Sequence, residues 1–385
     1  MKNILVIHQS SELYGSDKTL LLLLTELDKT EFCPVVILPD GGPLKTELEN
    51  QGIKVTIVPV LKVYRKMFTP ANLIKFFKEV RSGIKLLDRL NAEYKFSFIY
   101  SNTLAVLLGM LYARKRNIKH LWHVHEIIVH PKIIASTFPK LLKKYADVIV
   151  CNSYATKLNL TQRIPELEEK CTVVHNGLEI PFLAFEIINA KENFGFAQND
   201  IIVTLVGRIN RLKGHKWLLE ASLDLLKADK VKLLFVGSPV PGQEYYQKEI
   251  EQIIADNNLE NKVVITPFTR NLALIWAATD IAVMPSTEAE SFGLVALEAM
   301  LAHKPVIGSD HGGLKEIILH DATGLLVEPS NIKKLEEAIE VLAENENLRK
   351  DFGERGHERA ITEFSLEKYV SSMTEVFRRM NTYII

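Results

Sequence analysis

At 385 residues, with 47% hydrophobic and 24% charged side chains, the chain has material for roughly two or three self-standing globular cores, which excludes a disordered or fibrous protein. Forty-seven Lys/Arg balance 47 Asp/Glu, yet residues 1–170 hold 25 basic against 16 acidic side chains, so a surplus of +9 there is answered by −9 in the rest. The first part is therefore the one to test against an anionic surface, and basic groups without interleaved exposed aromatics argue against a nucleic-acid binder.

Strand-like runs come first in chain order. NILVIHQ, PVVILPD, KVTIVPV, FSFIYSN, HLWHVHE, DVIVCNS and TVVHNG are short β-rich segments, each closed by a polar loop and followed by a helical pattern. That alternation predicts βαβ units and a parallel sheet. The less regular LEIPFLAFEIINAKENFGFAQND interrupts the rhythm, which restarts with IIVTLVGR, KLLFVGS, KVVITPF, IAVMPS, PVIGSD and GLLVEPS. Two doubly wound α/β domains are expected, 1–178 and 179–365, joined near Asn176 to Ile188. The tail FSLEKYVSSMTEVFRRMNTYII reads as one last amphipathic helix, 366–385, whose apolar face must dock somewhere.

Cys33, Cys151 and Cys171 are odd in number, scattered and without CxxC spacing, which favours a reducing, cytoplasmic compartment over a disulfide framework. The opening MKNILVIHQSS has too short an apolar run for a signal peptide, and TLLLLLTEL falls far below the ~18 residues of a membrane span. Any membrane contact is thus expected to be peripheral, at the inner face of the cytoplasmic membrane.

In open α/β sheets ligands bind beyond the carboxyl ends of the strands, so the loops after the strand runs carry the chemistry. The first, SSELYGSDKT, places Gly15 just before a helix expected to begin near Asp17, where backbone can approach a phosphate closely. It is neither GxGxxG nor GxxxxGK[ST], and an ordinary turn glycine is an equal alternative. Next, Lys62, Arg65, Lys66, Lys75, Lys78, Arg81, Lys85, Arg89 and Lys95 stand against Glu79, Asp88 and Glu93, a surplus of +6. Leu73, Phe76, Phe77, Val80, Ile84 and Leu87 share one helical stripe in that segment. Such a helix either lies on an anionic membrane or, more commonly, covers a sheet with its stripe and turns its lysines to solvent.

HVHEIIVH offers His123, His125 and His130 near a strand end. The spacing is not HExxH and no cysteine is near, so a cleft wall with His123 and His125 on one face is preferred to a metal site. VGRINRLKGH sets Arg208, Asn210, Arg211, Lys213 and Gly214 directly after a strand, a cationic cluster able to grip phosphates, against the plain alternative of a solvated basic loop. Pro267 and Phe268 follow KVVIT, and Phe268 is either an apolar wall for a nucleotide base or core. Finally, STEAESFGLVALEAM holds Glu290 and Glu298 on either side of Phe292 and Gly293, which open a helix. An anion at the amides of Gly293, Leu294 and Val295 would have Glu290 near one end and Glu298 about 7 Å further along the axis. A sugar–diphosphate–ribose string has that shape. On the bland reading Glu298 is a surface helix residue and Glu290 a cap.

With these residues in view, the chain resembles glycosyltransferase family 4, of the GT-B fold, across nearly its whole length. ESFGLVALEAMLAHKPVIGSDHGGLKEII and DATGLLVEP are similar to the family's E-x7-E region and the glycine-rich segment behind it, VGRINRLKGH to its diphosphate-binding segment, and VVHNGLE to its interdomain junction. YGSDK corresponds to a loop that is usually Gly-Gly-x-Glu, with Tyr14 and Asp17 as departures that put the width of the pocket in doubt. The resemblance implies two Rossmann-like domains facing a central cleft, with the closing helix crossing back onto the first. It also implies retaining transfer of a hexose-type sugar from a nucleotide diphosphate donor, UDP or GDP, with no cofactor or essential metal. Arg208, Lys213 and Gly15 would meet the diphosphate, Glu290 and His125 the donor sugar, and Glu298 the ribose, with Phe268, Phe292, Gly293, Leu294 and Val295 also lining the donor site. The acceptor would be a glycan or lipid-linked saccharide, as in cell-surface polysaccharide or lipopolysaccharide assembly. Rival readings are a nucleotide-sugar epimerase, which needs no acceptor, a glycan phosphorylase, which needs orthophosphate, and a silent nucleotide-sugar binding subunit.

Overall fold

The computed structural model of the chain describes residues 1–60, 70–179, 187–269 and 271–382, the side chains at 70–77 and 381–382 apart. It divides into two compact units, Met1–Gly177 with Leu366–Ile385, and Leu178–Ser365. Each is built on a parallel sheet, because its strand runs are apolar on both faces and each pair is separated by a helix-length crossover.

In the first unit the strands are β1 (Lys2–His8), β2 (Phe32–Leu38), β3 (Lys54–Ile57), β4 (Phe98–Asn102), β5 (Lys119–Val124), β6 (Val148–Cys151) and β7 (Cys171–Val173), in the order β3-β2-β1-β4-β5-β6-β7. In the second, β8 (Ile202–Val206), β9 (Lys232–Val236), β10 (Val263–Thr266), β11 (Ile281–Met284), β12 (Val306–Ser309) and β13 (Gly324–Val327) run β10-β9-β8-β11-β12-β13. Both orders turn back on either side of the first strand of the unit, and that reversal opens a crevice at the carboxyl ends.

Strand alternation sorts the core into layers. Ile4 and Val6 point to the layer that holds helix Gly15–Glu26, while Leu5 and Ile7 point to the layer beneath helix Pro70–Tyr94. The tail forms helix Leu366–Thr382, whose Leu366, Tyr369, Met373, Val376, Phe377 and Met380 recur at helical spacing and are all buried. Phe377 meets the rings of Phe32, Phe98 and Tyr100 at 5.8, 5.4 and 5.5 Å, so the tail docks on the first sheet.

Within helix Pro70–Tyr94, the described part of the predicted stripe settles one alternative. Val80, Ile84 and Leu87 pack into the core beneath the sheet, while Lys78, Arg81, Lys85 and Arg89 are exposed. These apolar residues do not form an outward face. Lys62, Arg65, Lys66, Leu73, Lys75, Phe76 and Phe77 lie outside the described side chains. Among the described residues no helix is long and apolar enough to cross a membrane.

Candidate active site

In the second unit the loop after β8 is shaped by two features. Asn210 accepts the amides of Leu212 at 2.9 Å and Lys213 at 3.1 Å, winding Arg211–Lys213 into a tight 3-10 turn. Gly214 then sits at φ +73, and a Cβ there would lie 1.8 Å from the carbonyl oxygen of Pro285, so the loop presses directly on the end of β11. Thr287 N–H donates to Leu212 O at 2.9 Å across the same seam.

That contact brings Lys213 to Glu290. The ammonium lies 2.5 Å from Glu290 Oε1, and Ser286 Oγ donates to the same oxygen at 2.6 Å. Burial raises the Glu290 carboxyl, but the Lys213 ammonium, the Ser286 hydroxyl and His311 together hold it below the usual carboxylate value. Beyond β12 a third loop fixes the backbone. Gly313 N–H donates to Glu290 O at 2.7 Å, and Gly312, at φ +63, leaves no room for a Cβ, which would stand 2.3 Å from that oxygen. His311 Nε2 and Ser309 Oγ both donate to Ser286 O, at 2.9 and 2.8 Å, and His311 Nδ1 is buried without a partner among the described residues. Arg208 is exposed at the end of β8, and Arg211 pairs with Glu288.

Gly293 caps helix Leu294–Leu301, in which Ala296 to Leu301 are all buried, so this helix is enclosed rather than amphipathic. Glu298, its fifth residue, is 6% exposed, which removes the reading of an ordinary surface glutamate. Leu294 and Val295 are half-buried, and their amides belong to the first turn, where helical N–H groups lack intrahelical partners. One expectation needs correction, and one open alternative is decided. The Phe292 ring is core, 2% exposed against Phe364 at 5.8 Å, so its side chain is closed to a ligand. Phe268, by contrast, is 46% exposed and not core, with its amide donating to Ser238 Oγ at 3.3 Å.

The first unit carries its own polar cluster at the ends of β1, β4 and β5, where His8 pairs in register with Asn102 and Asn102 with His123. Gly15 is the first residue of helix Gly15–Glu26, two positions earlier than expected. Asp17 is buried, takes His8 Nε2 at 2.6 Å, and accepts Ser10 Oγ and Tyr14 N–H at 3.2 and 3.1 Å. Tyr14 itself is 41% exposed. His125 Nε2 meets Asn102 Oδ1 at 2.8 Å, and its ring lies 3.9 Å from that of His123. Burial and the neighbouring His8 push His125 down to about 3, so it is neutral at physiological pH, and burial holds His123 well below its ordinary value. Glu126 accepts the amides of Leu104 at 3.1 Å and His125 at 3.0 Å, and burial pushes its carboxyl up to about 7. Among the described residues no three His, Cys, Asp or Glu side chains converge as a metal-binding set.

Comparison with known proteins places this geometry. Residues 15–180 match the family described as Glycosyltransferase Family 4, and residues 186–359 match Glycosyl transferases group 1. The chain belongs to the family 4 glycosyltransferases. The transferase has the GT-B fold. It superposes on Anabaena HepE, solved with UDP, at a TM-score of 0.81 and 25% identity over 98% of this chain and 100% of that one. An uncharacterised glycosyltransferase of Methanocaldococcus jannaschii is 29% identical over 339 residues, 87% of each chain. The Campylobacter jejuni enzyme named N-acetylgalactosamine-N,N'-diacetylbacillosaminyl-diphospho-undecaprenol 4-alpha-N-acetylgalactosaminyltransferase is 25% identical over 287 residues, 72% of this chain and 74% of that one.

Within the transferase, Lys213 and Glu290 stand in contact and Arg208, Gly293, Leu294, Val295, Glu298 and Phe268 belong to the same unit, while Gly15 and His125 belong to the other. Sequence reasoning passed over Ser286 and His311 beside Glu290, and His8, Asn102 and Glu126 beside His125. All five lie at or within two residues of a strand's carboxyl end, the place already searched for cations.

Proposed function

We propose that this transferase moves a hexose-type sugar, with retention, from a uridine or guanosine diphosphate donor to a hydroxyl of a saccharide or lipid-linked saccharide. The observation that carries the reading is the Lys213–Glu290 pair, 2.5 Å apart, together with an enclosed helix whose first turn begins at Leu294 and Val295. An ammonium, the Arg208 guanidinium and a helix N-terminus form a site for a diphosphate without a divalent ion. Glu290, kept ionised, accepts hydroxyls of the donor sugar, and Glu298 those of the ribose.

The acceptor hydroxyl attacks the anomeric carbon on the face from which the diphosphate leaves. The bond from that carbon to the phosphate oxygen breaks, its electron pair stays on the departing oxygen, and the acceptor's proton passes to that same oxygen. Each cationic or amide donor facing the developing charge is worth about 3–4 kcal/mol by analogy with oxyanion-hole donors. HepE was solved with UDP-glucose, which supports a uridine donor. The name of the Campylobacter relative includes an undecaprenol-linked diphosphate, and the exposed Lys78, Arg81, Lys85 and Arg89 offer a basic face to such an acceptor at an anionic membrane.

A thermal-shift panel of uridine, guanosine, thymidine and adenosine diphosphate sugars, followed by turnover with and without EDTA, tests this. One nucleotide should raise the melting temperature in a concentration-dependent way, EDTA should leave turnover unchanged, and Lys213→Ala should lower turnover at least a hundredfold with folding intact. Donor conversion in the absence of any acceptor would favour an epimerase, and restoration of activity by magnesium after EDTA would end the metal-free reading.

A further inference from the structure

We infer that Asn102 is a positioning residue that sets the tautomer of His125, holding the proton on Nε2 and leaving Nδ1 a bare acceptor for a substrate hydroxyl. The inference rests on the reading of His125 as a contact of the donor sugar, and it assigns the supporting work to a chain of groups reaching back to Asp17.

The proton bookkeeping starts at Asp17, an acceptor-only carboxylate 2.6 Å from His8 Nε2. His8 therefore donates from Nε2, and its Nδ1 lies 3.0 Å from Asn102 Nδ2 and 3.3 Å from the carbonyl oxygen of Asn102. The carbonyl oxygen of Ser16, 3.4 Å from Asn102 Nδ2, only accepts, so the amide nitrogen and not the amide oxygen is on that side, and His8 Nδ1, 3.0 Å from the same nitrogen, accepts from it. The oxygen is then turned the other way, toward His125 Nε2 at 2.8 Å and the Tyr100 hydroxyl at 3.1 Å. A carbonyl oxygen only accepts, so His125 must donate from Nε2. Since His125 is neutral, Nδ1 has no proton.

The backbone that carries Asn102 is held in an unusual state. Thr103, β-branched, sits at φ +91, and its hydroxyl is buried without a partner among the described residues. Such strain persists only where the surroundings over-determine it. Here the Trp122 indole donates to Thr103 O at 2.8 Å, Thr103 N–H donates to His123 O at 2.9 Å, and the Glu126 carboxylate takes the next amide, Leu104, at 3.1 Å. Glu126 also takes the amide of His125, so one carboxylate ties the asparagine loop to the histidine loop.

The titratable groups around His125 are His8 on β1, Asp17 on the following helix, Tyr100 on β4, His123 on its own strand and Glu126 next in sequence. Burial first, and then any charge on His8, oppose a second proton on His125, and Asp17 favours it through space. Placing a carboxylate where the Asn102 oxygen now stands would reverse that balance.

The test uses the full chain, ligand-free, with 15N-labelled histidine, reading imidazole tautomers from long-range proton–nitrogen correlations and identifying His125 by its loss in His125→Gln. The wild type should show a protonated Nε2 and a bare Nδ1, unchanged down to pH 5. Asn102→Asp, nearly isosteric, should raise the protonation pH of His125 by at least one unit and move the acid limb of kcat by the same amount. Asn102→Leu should lose the Nε2-protonated preference and lower kcat for the donor more than it changes KM. A protonated Nδ1 in the wild type, or the same tautomer and titration in wild type, Asn102→Asp and Asn102→Leu, would overturn the assignment. The spectra need no turnover, so a chain that transfers no sugar would fail the functional reading while the tautomer still stands or falls on its own signal.

Discussion

The Lys213–Glu290 pair is only partly shielded, its side chains 32% and 20% exposed, so its attraction is set against desolvation and solvent screening and it contributes little to folding. Its value lies in position, since it holds an ammonium and a carboxylate at fixed places beside the first turn of helix Leu294–Leu301. Glu126 is the opposite case, a carboxyl whose proton matters to stability. Its pKa is raised from the ordinary 4.5 to about 7, first by burial, with the amides of Leu104 and His125 pulling weakly the other way. Between those pH values the native state keeps a proton that the unfolded chain has released, so the contribution is complete below about 4.5 and is lost as pH rises through about 7. Glu126→Gln, which cannot ionise, should therefore flatten the fall in stability between pH 5 and 7.5 by up to about 3 kcal/mol, read by urea denaturation at both pH values. Equal slopes in the variant and the wild type would show that the carboxyl titrates as an exposed glutamate does.

Loops that press on one another through glycine assemble the cluster of the second unit. Gly214 and Gly195 share a left-handed backbone, φ +73 and +76, yet differ in surroundings, because a Cβ at 214 meets the Pro285 carbonyl at 1.8 Å and one at 195 meets nothing within 4 Å. Gly195→Ala should cost about 1 kcal/mol, the left-handed penalty alone, whereas Gly214→Ala should cost about 3 kcal/mol or more and weaken nucleotide binding, since the loop cannot shift without moving Lys213. Thermal denaturation of the two variants with and without UDP checks this, and equal losses would remove the close approach as a cause. The strands were legible because runs such as IIVTLVGR and KLLFVGS are apolar on both faces, which is what a covered parallel sheet needs. Glu290 and Lys213, which the structure brings into contact, stood out in the sequence because charged residue type and place at a strand end coincide. Ser286, His311 and Asn102 were not, since a polar residue in a loop says nothing of partners dozens of positions away that only the sheet order brings near. Phe292 was misread for a related reason: a ring beside a helix-opening glycine can turn to the ligand or inward, and Phe364, which draws it inward, lies 72 positions on.

The first unit is discontinuous in sequence, since its last helix, Leu366–Thr382, arrives after the whole of the second unit has been traced. That arrangement makes the first unit depend on residues synthesised after the second. The dependence is concentrated in Phe377, fully buried and in contact with rings on β2 and β4, so truncation there opens a cavity in the layer that also carries Leu20, Leu23 and Leu24 of helix Gly15–Glu26. Phe377→Ala should cost about 3–5 kcal/mol, and the loss should fall on one unit only, because every ring and aliphatic neighbour of Phe377 in that layer belongs to Met1–Gly177 or to the tail itself. Amide hydrogen exchange is the measurement that separates the units. Protection should drop by two or more orders of magnitude at β1, β2 and β4, and stay at the wild-type level at β8, β11 and β12. On the proposed reading UDP should still slow exchange around Gly293 to Val295 in the variant, because the Lys213–Glu290 pair and helix Leu294–Leu301 lie within the second unit. Equal loss of protection in both sheets would instead mean that the two units unfold as one cooperative body, and the tail would then be stabilising the entire molecule rather than the sheet it covers.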